Sequence, residues 1–188
     1  MVSTPGTSTI GLINAPSVGE NDALNQLEEF EIRALTSSDQ TFLWEMLYQS
    51  LYVPEGQPPF ERSILAKPEI ARYVGDWGRE DDHGFLAVDE NDQALGAIWL
   101  RLLKGEERGF GYVDDQTPEL GMAVLAEHRG QGIGTGLLAR LIESLDGRYD
   151  QISLSVSVGN PAIHLYQRAG FERAGQSGDS INMKKKIE

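Results

Sequence analysis

A glycine-rich turn between a predicted strand and a predicted helix constrains this sequence more than any other feature. The apolar run at 120–125 predicts a strand, and leucines spaced by three or four residues over 137–145 predict one buried helix face. Glycines before a helix let backbone N–H groups converge where the helix N-terminus is positive, so the turn predicts a pyrophosphate cradle. The residues of the turn are Arg129, Gly130, Gln131, Gly132, Ile133, Gly134 and Thr135.

The spacing of the glycines separates three ligand classes that use such a turn. A mononucleotide P-loop needs a lysine directly before Ser or Thr, and Gly134 stands in that place before Thr135. The dinucleotide pattern Gly-x-Gly-x-x-Gly is not matched, because glycines occupy every second position from 130 to 136. The pattern that remains is Arg-x-x-Gly-x-Gly.

A second motif follows one predicted helix and one predicted strand later. Residues 160–171 have the sequence NPAIHLYQRAGF. In this order, the two motifs resemble the coenzyme A loop and the Asn…Leu-Tyr…Gly-Phe signature of the GCN5-related N-acetyltransferase (GNAT) superfamily. The resemblance covers about residues 31–187 and is specific over 119–171.

Hydrophobic periodicity predicts the element order β-α-α-β-β-β-α-β-α-β-β in an α/β chain. The resemblance implies a mixed sheet of six or seven strands, flanked by about four helices and splayed between the strands at 119–125 and 151–158. Residues 1–27 are rich in Ser, Thr, Gly, Pro and Asn and are expected to form a flexible arm, with a helical turn near 23–30. Residues 28–188 are expected to be one domain.

The composition excludes several classes of protein. The 188 residues include no cysteine, which rules out disulfides, thiolate zinc sites and a cysteine nucleophile. The three histidines have no metal-ligand spacing, so we expect no metal. With no apolar run near 18 residues and no signal-type N-terminus, we expect a cytoplasmic protein without a membrane partner. The net charge of −13 argues against nucleic acid.

The charge is distributed unevenly along the chain. Residues 1–128 carry 8 Lys and Arg against 23 Asp and Glu, a net −15, whereas residues 129–188 carry 8 against 6, a net +2. In the resembled fold, the second half contacts the anionic coenzyme and the first half forms most of the acceptor pocket. We therefore expect a cationic small-molecule or peptide amine as acceptor, captured more slowly at high salt. A homodimer is a possible assembly.

The resemblance implies acetyl-CoA as co-substrate and assigns main-chain contacts to it. Met122, Ala123 and Val124 would pair with the pantetheine arm like an added strand, with the Val124 N–H donating to the thioester oxygen. Residues 129–134 would hold the pyrophosphate, next to Thr135. Asn160 would contact the coenzyme, although it is also expected as a helix N-cap before Pro161.

Two side chains are candidates for catalysis. The resemblance implies that the Tyr166 hydroxyl protonates the leaving thiolate, whereas its place on an apolar helix face also suits a core tyrosine. Glu119 could take the amine proton through water, or be only an exposed residue at a strand end. The expected function is transfer of an acetyl group from acetyl-CoA to a primary amine by direct attack in a ternary complex. The alternative is a non-catalytic module that binds or senses acyl-CoA.

The acceptor pocket is expected between about residues 42 and 78. Its aromatic side chains could line that pocket and could equally belong to the core. They are Trp44, Tyr48, Tyr52, Phe60, Tyr73 and Trp77.

Overall fold

The computed structural model describes residues 30–187, so the expected arm at 1–27 and nearly all of the helical turn expected at 23–30 lie outside the described residues. Seven strands and four α-helices follow one another in the predicted order. They are β1 (Glu31–Ala34), α1 (Gln40–Ser50), α2 (Pro68–Ala71), β2 (His83–Val88), β3 (Ala94–Arg101), β4 (Glu119–Val124), α3 (Ile133–Glu143), β5 (Gln151–Ser157), α4 (Ala162–Arg168), β6 (Glu172–Ser177) and β7 (Ser180–Lys186).

The strands form one mixed sheet in the order β1-β2-β3-β4-β5-β7-β6, which confirms the predicted fold class. All neighbouring pairs are antiparallel except β4 and β5, which are parallel. Within residues 30–187, no helix is long and apolar enough to cross a membrane.

Helices cover both faces of the sheet and divide the core into two clusters. On one face, the α3 leucines 137, 138 and 141 pack with apolar side chains of β3, β5 and α4. On the other face, Leu43, Met46 and Leu47 of α1 pack with side chains of β2, β3 and the α2 region. Side chains alternate between the two faces along β4. Those on one face pack in the first cluster and those on the other face pack in the second.

The sheet is splayed where β4 meets β5. The two strands share a single register pair, Glu119 with Ser153, beside a hydrogen bond of 3.0 Å from the Ser153 N–H to the Pro118 carbonyl. Beyond this pair the strands diverge, and a cleft of about 1340 Å³ opens between them. The splay expected between these two strands is therefore present.

The helix expected from Pro68 to Gly75 or Gly78 is shorter than predicted. It ends at Ala71, after which the chain tightens into turns with hydrogen bonds from Tyr73 to Ile70 and from Val74 to Ala71. The buried Arg101 side chain accounts for the difference, because it donates to the carbonyls of Arg72 and Gly75 and satisfies them outside a regular helix.

Candidate active site

The main chain of β4 forms one wall of the cleft. The Leu125 N–H donates to the Leu95 carbonyl across the β3–β4 ladder, which sets the alternation along β4. By that alternation, the N–H groups of Met122 and Val124 point away from β3 and toward the gap before β5. The Val124 carbonyl, on the same edge, accepts a hydrogen bond of 2.9 Å from Arg129 Nε. The edge expected to pair with the coenzyme thus lacks a strand partner beyond residue 120.

The glycine-rich turn joins β4 to α3 at the end of this wall. Gly130 and Gly132 have φ values of 79° and 87°, in the left-handed region that favours glycine. A Cβ on either residue would meet no atom within 4 Å, so the space beside the turn is open. Gly132 directly precedes α3, whose first N–H groups have no intrahelical partners. The turn therefore offers exposed N–H groups at a positive helix end.

The side chains of the turn differ in where they point. Arg129 folds back onto the Val124 carbonyl and donates to Gln49 Oε1 at 3.1 Å. Ile133 is 1% exposed and belongs to the core. Residues 129, 130, 132, 134 and 135 lie in the cleft wall, whereas Gln131 and Ile133 do not. Contacts from these last two residues would have to come from their backbone.

Tyr166 lies in the cleft wall on α4. Its ring is buried and packs edge-to-face on Phe171 at 5.8 Å between centroids, as expected of a core tyrosine. Its hydroxyl makes no hydrogen bond to any residue from 30 to 187, and burial raises its pKa to about 12. The tyrosine thus contributes its ring to the core and a protonated hydroxyl to the cleft.

Asn160 lies one residue before Pro161, which is the N-cap of α4, so the expected position is off by one. Its Oδ1 nevertheless accepts a hydrogen bond of 2.9 Å from the Ala162 N–H at the start of the helix. The residue lines the cleft as well.

Glu119 begins β4 and is buried, so it is not the exposed strand-end residue that was one of the two expectations. Its Oε1 accepts hydrogen bonds from the Tyr73 hydroxyl at 2.6 Å and from the Gly111 N–H at 2.8 Å. The Tyr73 hydroxyl in turn accepts one from the Phe110 N–H at 2.7 Å. Glu119 Oε2 is buried and has no hydrogen-bond partner among the described residues. Burial raises the pKa of Glu119 to about 7, although both hydrogen bonds act to lower it.

Two glycines in the loop between β3 and β4 make room for this carboxylate. A side chain on Gly109 would overlap Glu119 Oε2, and a Cβ on Gly111 would lie 2.9 Å from Oε1 and 2.7 Å from the Leu154 backbone. The loop therefore closes over Glu119 and reaches the β5 main chain. The sequence analysis missed both glycines, whose only signal was their spacing around Phe110.

A buried ion pair supports the same region. Arg101, the register partner of Glu119, is paired with Asp82 at 2.7 Å, and the two side chains are 1% and 2% exposed. Through its bonds to the carbonyls of Arg72 and Gly75, Arg101 fixes the segment that carries Tyr73. The sequence analysis also missed this pair, although an arginine ending the apolar run of β3 was a usable signal.

Glu119 and Tyr166 approach the cleft from opposite faces of the sheet. Glu119 lies on the α1 and α2 face, beside Ala123, whereas Tyr166 packs in the core on the α3 and α4 face. The open edge at Met122 and Val124 passes between these faces. The cleft thus lies between a buried carboxylate on one side and a tyrosine hydroxyl on the other.

The aromatic candidates divide between cleft and core. Tyr48, Tyr52, Phe60 and Tyr73 lie in the cleft wall, and Tyr52 donates a hydrogen bond of 3.1 Å to the Gly159 carbonyl across it. Trp44 and Trp77 do not line the cleft but pack in the second core cluster, with Trp77 beneath Arg101. Phe110 lines the cleft and was not among the candidates.

Two acidic clusters in the first half of the chain, at residues 80–82 and 89–90, lie outside the cleft wall. One of these residues, Asp82, is neutralised by Arg101. Among residues 30–187, Glu119 is the only carboxylate in the wall. In the same part of the chain, no group of three His, Asp or Glu side chains is placed to hold a metal ion.

Known proteins resemble this chain in sequence over most of its length. The family model described as "Acetyltransferase (GNAT) family" matches residues 42–171. An uncharacterised N-acetyltransferase of Methanocaldococcus jannaschii is 26% identical over 174 residues, covering 88% of this chain and 71% of the relative.

Two solved structures share the fold at about one-fifth identity, which is evidence for the fold alone. The ribosomal-protein-S18-alanine N-acetyltransferase of Escherichia coli has a TM-score of 0.57 and 20% identity, covering 85% of this chain and 95% of that one. The spermidine N-acetyltransferase of Vibrio cholerae, in complex with CoA and spermine, has a TM-score of 0.56 and 20% identity, covering 84% and 95%.

Proposed function

The chain belongs to the acetyltransferase (GNAT) family and is an acetyltransferase, and from this premise we propose that it moves the acetyl group of acetyl-CoA to a primary amine by direct attack in a ternary complex. One observation carries the proposal. The unpaired edge of β4 runs between a carboxylate on one face of the sheet and a tyrosine hydroxyl on the other. Such a site can take a proton from the attacking amine and give one to the leaving thiolate.

The proposed coenzyme contacts are mainly with the main chain. Met122 and Val124 would pair with the pantetheine arm, and the Val124 N–H would donate to the thioester oxygen, where negative charge develops. The N–H groups around Gly130 and Gly132 would hold the pyrophosphate, since the space beside them is open. Acetyl-CoA supplies an activated acyl group when bound. The chain has no cysteine, so no cysteine can carry that group.

Glu119 is proposed to deprotonate the amine. A pKa of about 7 suits this role, because the group then binds and releases a proton near neutral pH. Its free Oε2 is enclosed, so the proton would travel through a water molecule rather than by direct contact. The fixed hydrogen bonds to Oε1 keep the carboxylate aimed in one direction.

Tyr166 is proposed as the general acid. Burial raises its pKa to about 12, which keeps the hydroxyl protonated throughout the neutral range. A thiolate formed on the α4 side of the cleft could take that proton as the carbon–sulfur bond breaks.

The proposed acceptor is a primary amine that carries a positive charge in solution. Two structural neighbours are named for amine acceptors, a ribosomal-protein alanine and spermidine. The excess negative charge of residues 1–128 supports attraction of a cation at long range. A cytoplasmic, reducing location is part of the proposal, because a cysteine-free chain gains nothing from an oxidising compartment.

Free-CoA release with a panel of amines tests the proposal. Tyr166→Phe keeps the buried ring and removes the proton, so kcat should fall about 100-fold with little change in the KM for acetyl-CoA. Tyr149→Phe, a partly buried tyrosine outside the cleft wall, is the matched control and should retain wild-type kinetics. A wild-type rate in Tyr166→Phe would leave this residue with a core role only. Absence of CoA release with every amine, in a protein that still binds acetyl-CoA, would contradict transfer itself.

A further inference from the structure

We propose that the acceptor is a primary monoamine with an apolar or aromatic group close to the nitrogen, and that Phe60 and Phe110 bind this group. The inference rests on the proposed function and narrows its substrate class. It separates one type of amine, a single nitrogen on an apolar body, from polyamines and from amines with charged neighbours.

The charges of the cleft wall give the first reason. Glu119 is the only carboxylate in the wall among residues 30–187, and its oxygens are enclosed. The nearby carboxylate of Glu45 lies outside the wall and is already paired with Arg62. The second and third ammonium groups of a polyamine would therefore find no further carboxylate in the cleft wall that residues 30–187 form. Removing an unpaired charge from water is costly, so a polyamine should bind poorly.

The exposed aromatic rings give the second reason. Phe60 and Phe110 are 43% and 52% exposed, and both lie in the cleft wall. Large apolar side chains exposed in a cleft wall indicate a binding surface. Phe110 also lies next to the Glu119 network, which indicates what this surface would bind.

Phe110 connects this surface to the proposed base. Its ring stacks on Tyr73 with 6.2 Å between centroids, and the Tyr73 hydroxyl donates to Glu119. An apolar group resting on Phe110 would thus hold an attached amine close to the Glu119 end of the cleft. A longer spacer between the apolar group and the nitrogen would lose that alignment.

The side of the cleft formed by β5 and β7 contributes uncharged hydroxyl groups. Ser155, Ser157 and Ser180 line it from β5 and β7. Hydroxyl groups can bond to an amide or hydroxyl of the acceptor without requiring a charge there. Two kinds of acceptor combine such a polar group with an apolar group near the amine. One is a free arylalkylamine or amino-acid amide, and the other is a peptide N-terminus with an apolar first residue.

The experiment compares kcat/KM for four acceptors: phenylalaninamide, a tripeptide beginning with Phe, glycinamide and spermidine. We expect phenylalaninamide or the tripeptide to exceed glycinamide by about tenfold or more, which is typical of a side chain filling an apolar pocket. Spermidine should be the poorest of the four. Whether the amide or the tripeptide is better identifies the source of the amine, and either result supports the inference.

Two substitutions test whether Phe110 causes the preference for an aromatic acceptor. Phe110→Ala keeps the backbone N–H that bonds to Tyr73 and should bring the phenylalaninamide-to-glycinamide ratio close to one. Val158→Ala removes an equally exposed apolar side chain outside the cleft wall and should leave the ratio at the wild-type value. A preference for spermidine, or an unchanged ratio in Phe110→Ala, overturns the inference and leaves the proposed function intact. No CoA release with any of the four, or with other amines, instead contradicts the proposed function.

Discussion

The two ends of the cleft are built from different parts of the polypeptide. At the end proposed to bind the coenzyme, called the coenzyme end below, the groups that face the cleft are mostly backbone N–H groups, from the edge of β4 and the turn around Gly130 and Gly132. At the end proposed to bind the acceptor, called the acceptor end, they belong to a buried network of side chains centred on Glu119 and supported by Arg101. The first end depends on chain conformation, and the second on contacts between distant segments.

This difference has an energetic consequence. Backbone N–H groups left at a strand edge or helix start are polar but uncharged, so holding them open costs little. Burying a carboxylate at pKa about 7 and an arginine–aspartate pair costs much more, and each group depends on its partners. Changes at the acceptor end should therefore alter stability, whereas changes at the coenzyme end should alter binding.

The largest effect is expected from Arg101→Met. This change leaves the buried Asp82 carboxylate without its partner, so the free energy of unfolding should fall by about 3–5 kcal/mol, as measured by urea denaturation. Arg79→Met, which breaks the exposed pair with Glu107, is the control and should cost about 1 kcal/mol or less. If Arg101→Met lowers the free energy of unfolding as little as the control does, the buried ion pair does not stabilise the acceptor end.

A smaller gain in stability is expected from Glu119→Gln. The folded-state pKa of about 7 lies above the ordinary glutamate pKa of 4.5, so the wild-type protein loses stability as pH rises between these values, by about 3 kcal/mol in all. The neutral amide has no such loss. Thermal and urea unfolding should therefore find the variant more stable at pH 8 and equal to wild type near pH 4.

The exposed Glu90, in the turn between β2 and β3, provides the control as Glu90→Gln. It should show no pH-dependent difference from wild type. A Glu119→Gln protein that is less stable at pH 8 would mean that the carboxylate is better stabilised in the fold than its burial indicates.

The smallest effect concerns the pH dependence of the reaction. Tyr73→Phe removes a hydrogen bond that favours ionised Glu119, so the pKa of Glu119 should rise. The acidic limb of the kcat/KM profile should then move to higher pH by up to about one unit. If the acidic limb does not move in Tyr73→Phe, Tyr73 does not influence the pKa of the catalytic base. Complete loss of the limb is expected only for Glu119→Gln.

The contrast between the two ends also explains what the sequence could predict. The coenzyme end was visible because glycine spacing before a helix is a local pattern, and the leucines of α3 confirmed the helix. The splay between β4 and β5 followed from the resemblance at the two motifs, whereas the order of the strands within the sheet was not predicted. α2 was predicted too long because the arginine that captures its carbonyls lies about 30 residues away.

The acceptor end was only partly predictable. Glu119 was identified as a candidate, but its burial depends on Gly109, Gly111 and Tyr73, which meet it only in the folded chain. Aromatic residues could be counted but not assigned to cleft or core, since Tyr73 lines the cleft and Trp77, four residues later, does not. Phe110 was missed because a lone phenylalanine in a loop carries no periodic signal. Side-chain networks between distant segments leave little trace in local sequence.

Calorimetric titration of acetyl-CoA into two valine variants is the most direct test of the central claim that the cleft between β4 and β5 binds the coenzyme through its main chain. Gly132→Val and Gly147→Val place the same side chain at φ values of 87° and 69°, both in open space, with Gly147 lying beyond the opposite end of α3 from the cleft. The backbone strain, about 1–2 kcal/mol, should be similar in both. The account predicts that affinity falls at least tenfold in Gly132→Val and is unchanged in Gly147→Val. Equal affinities in the two folded variants would contradict it.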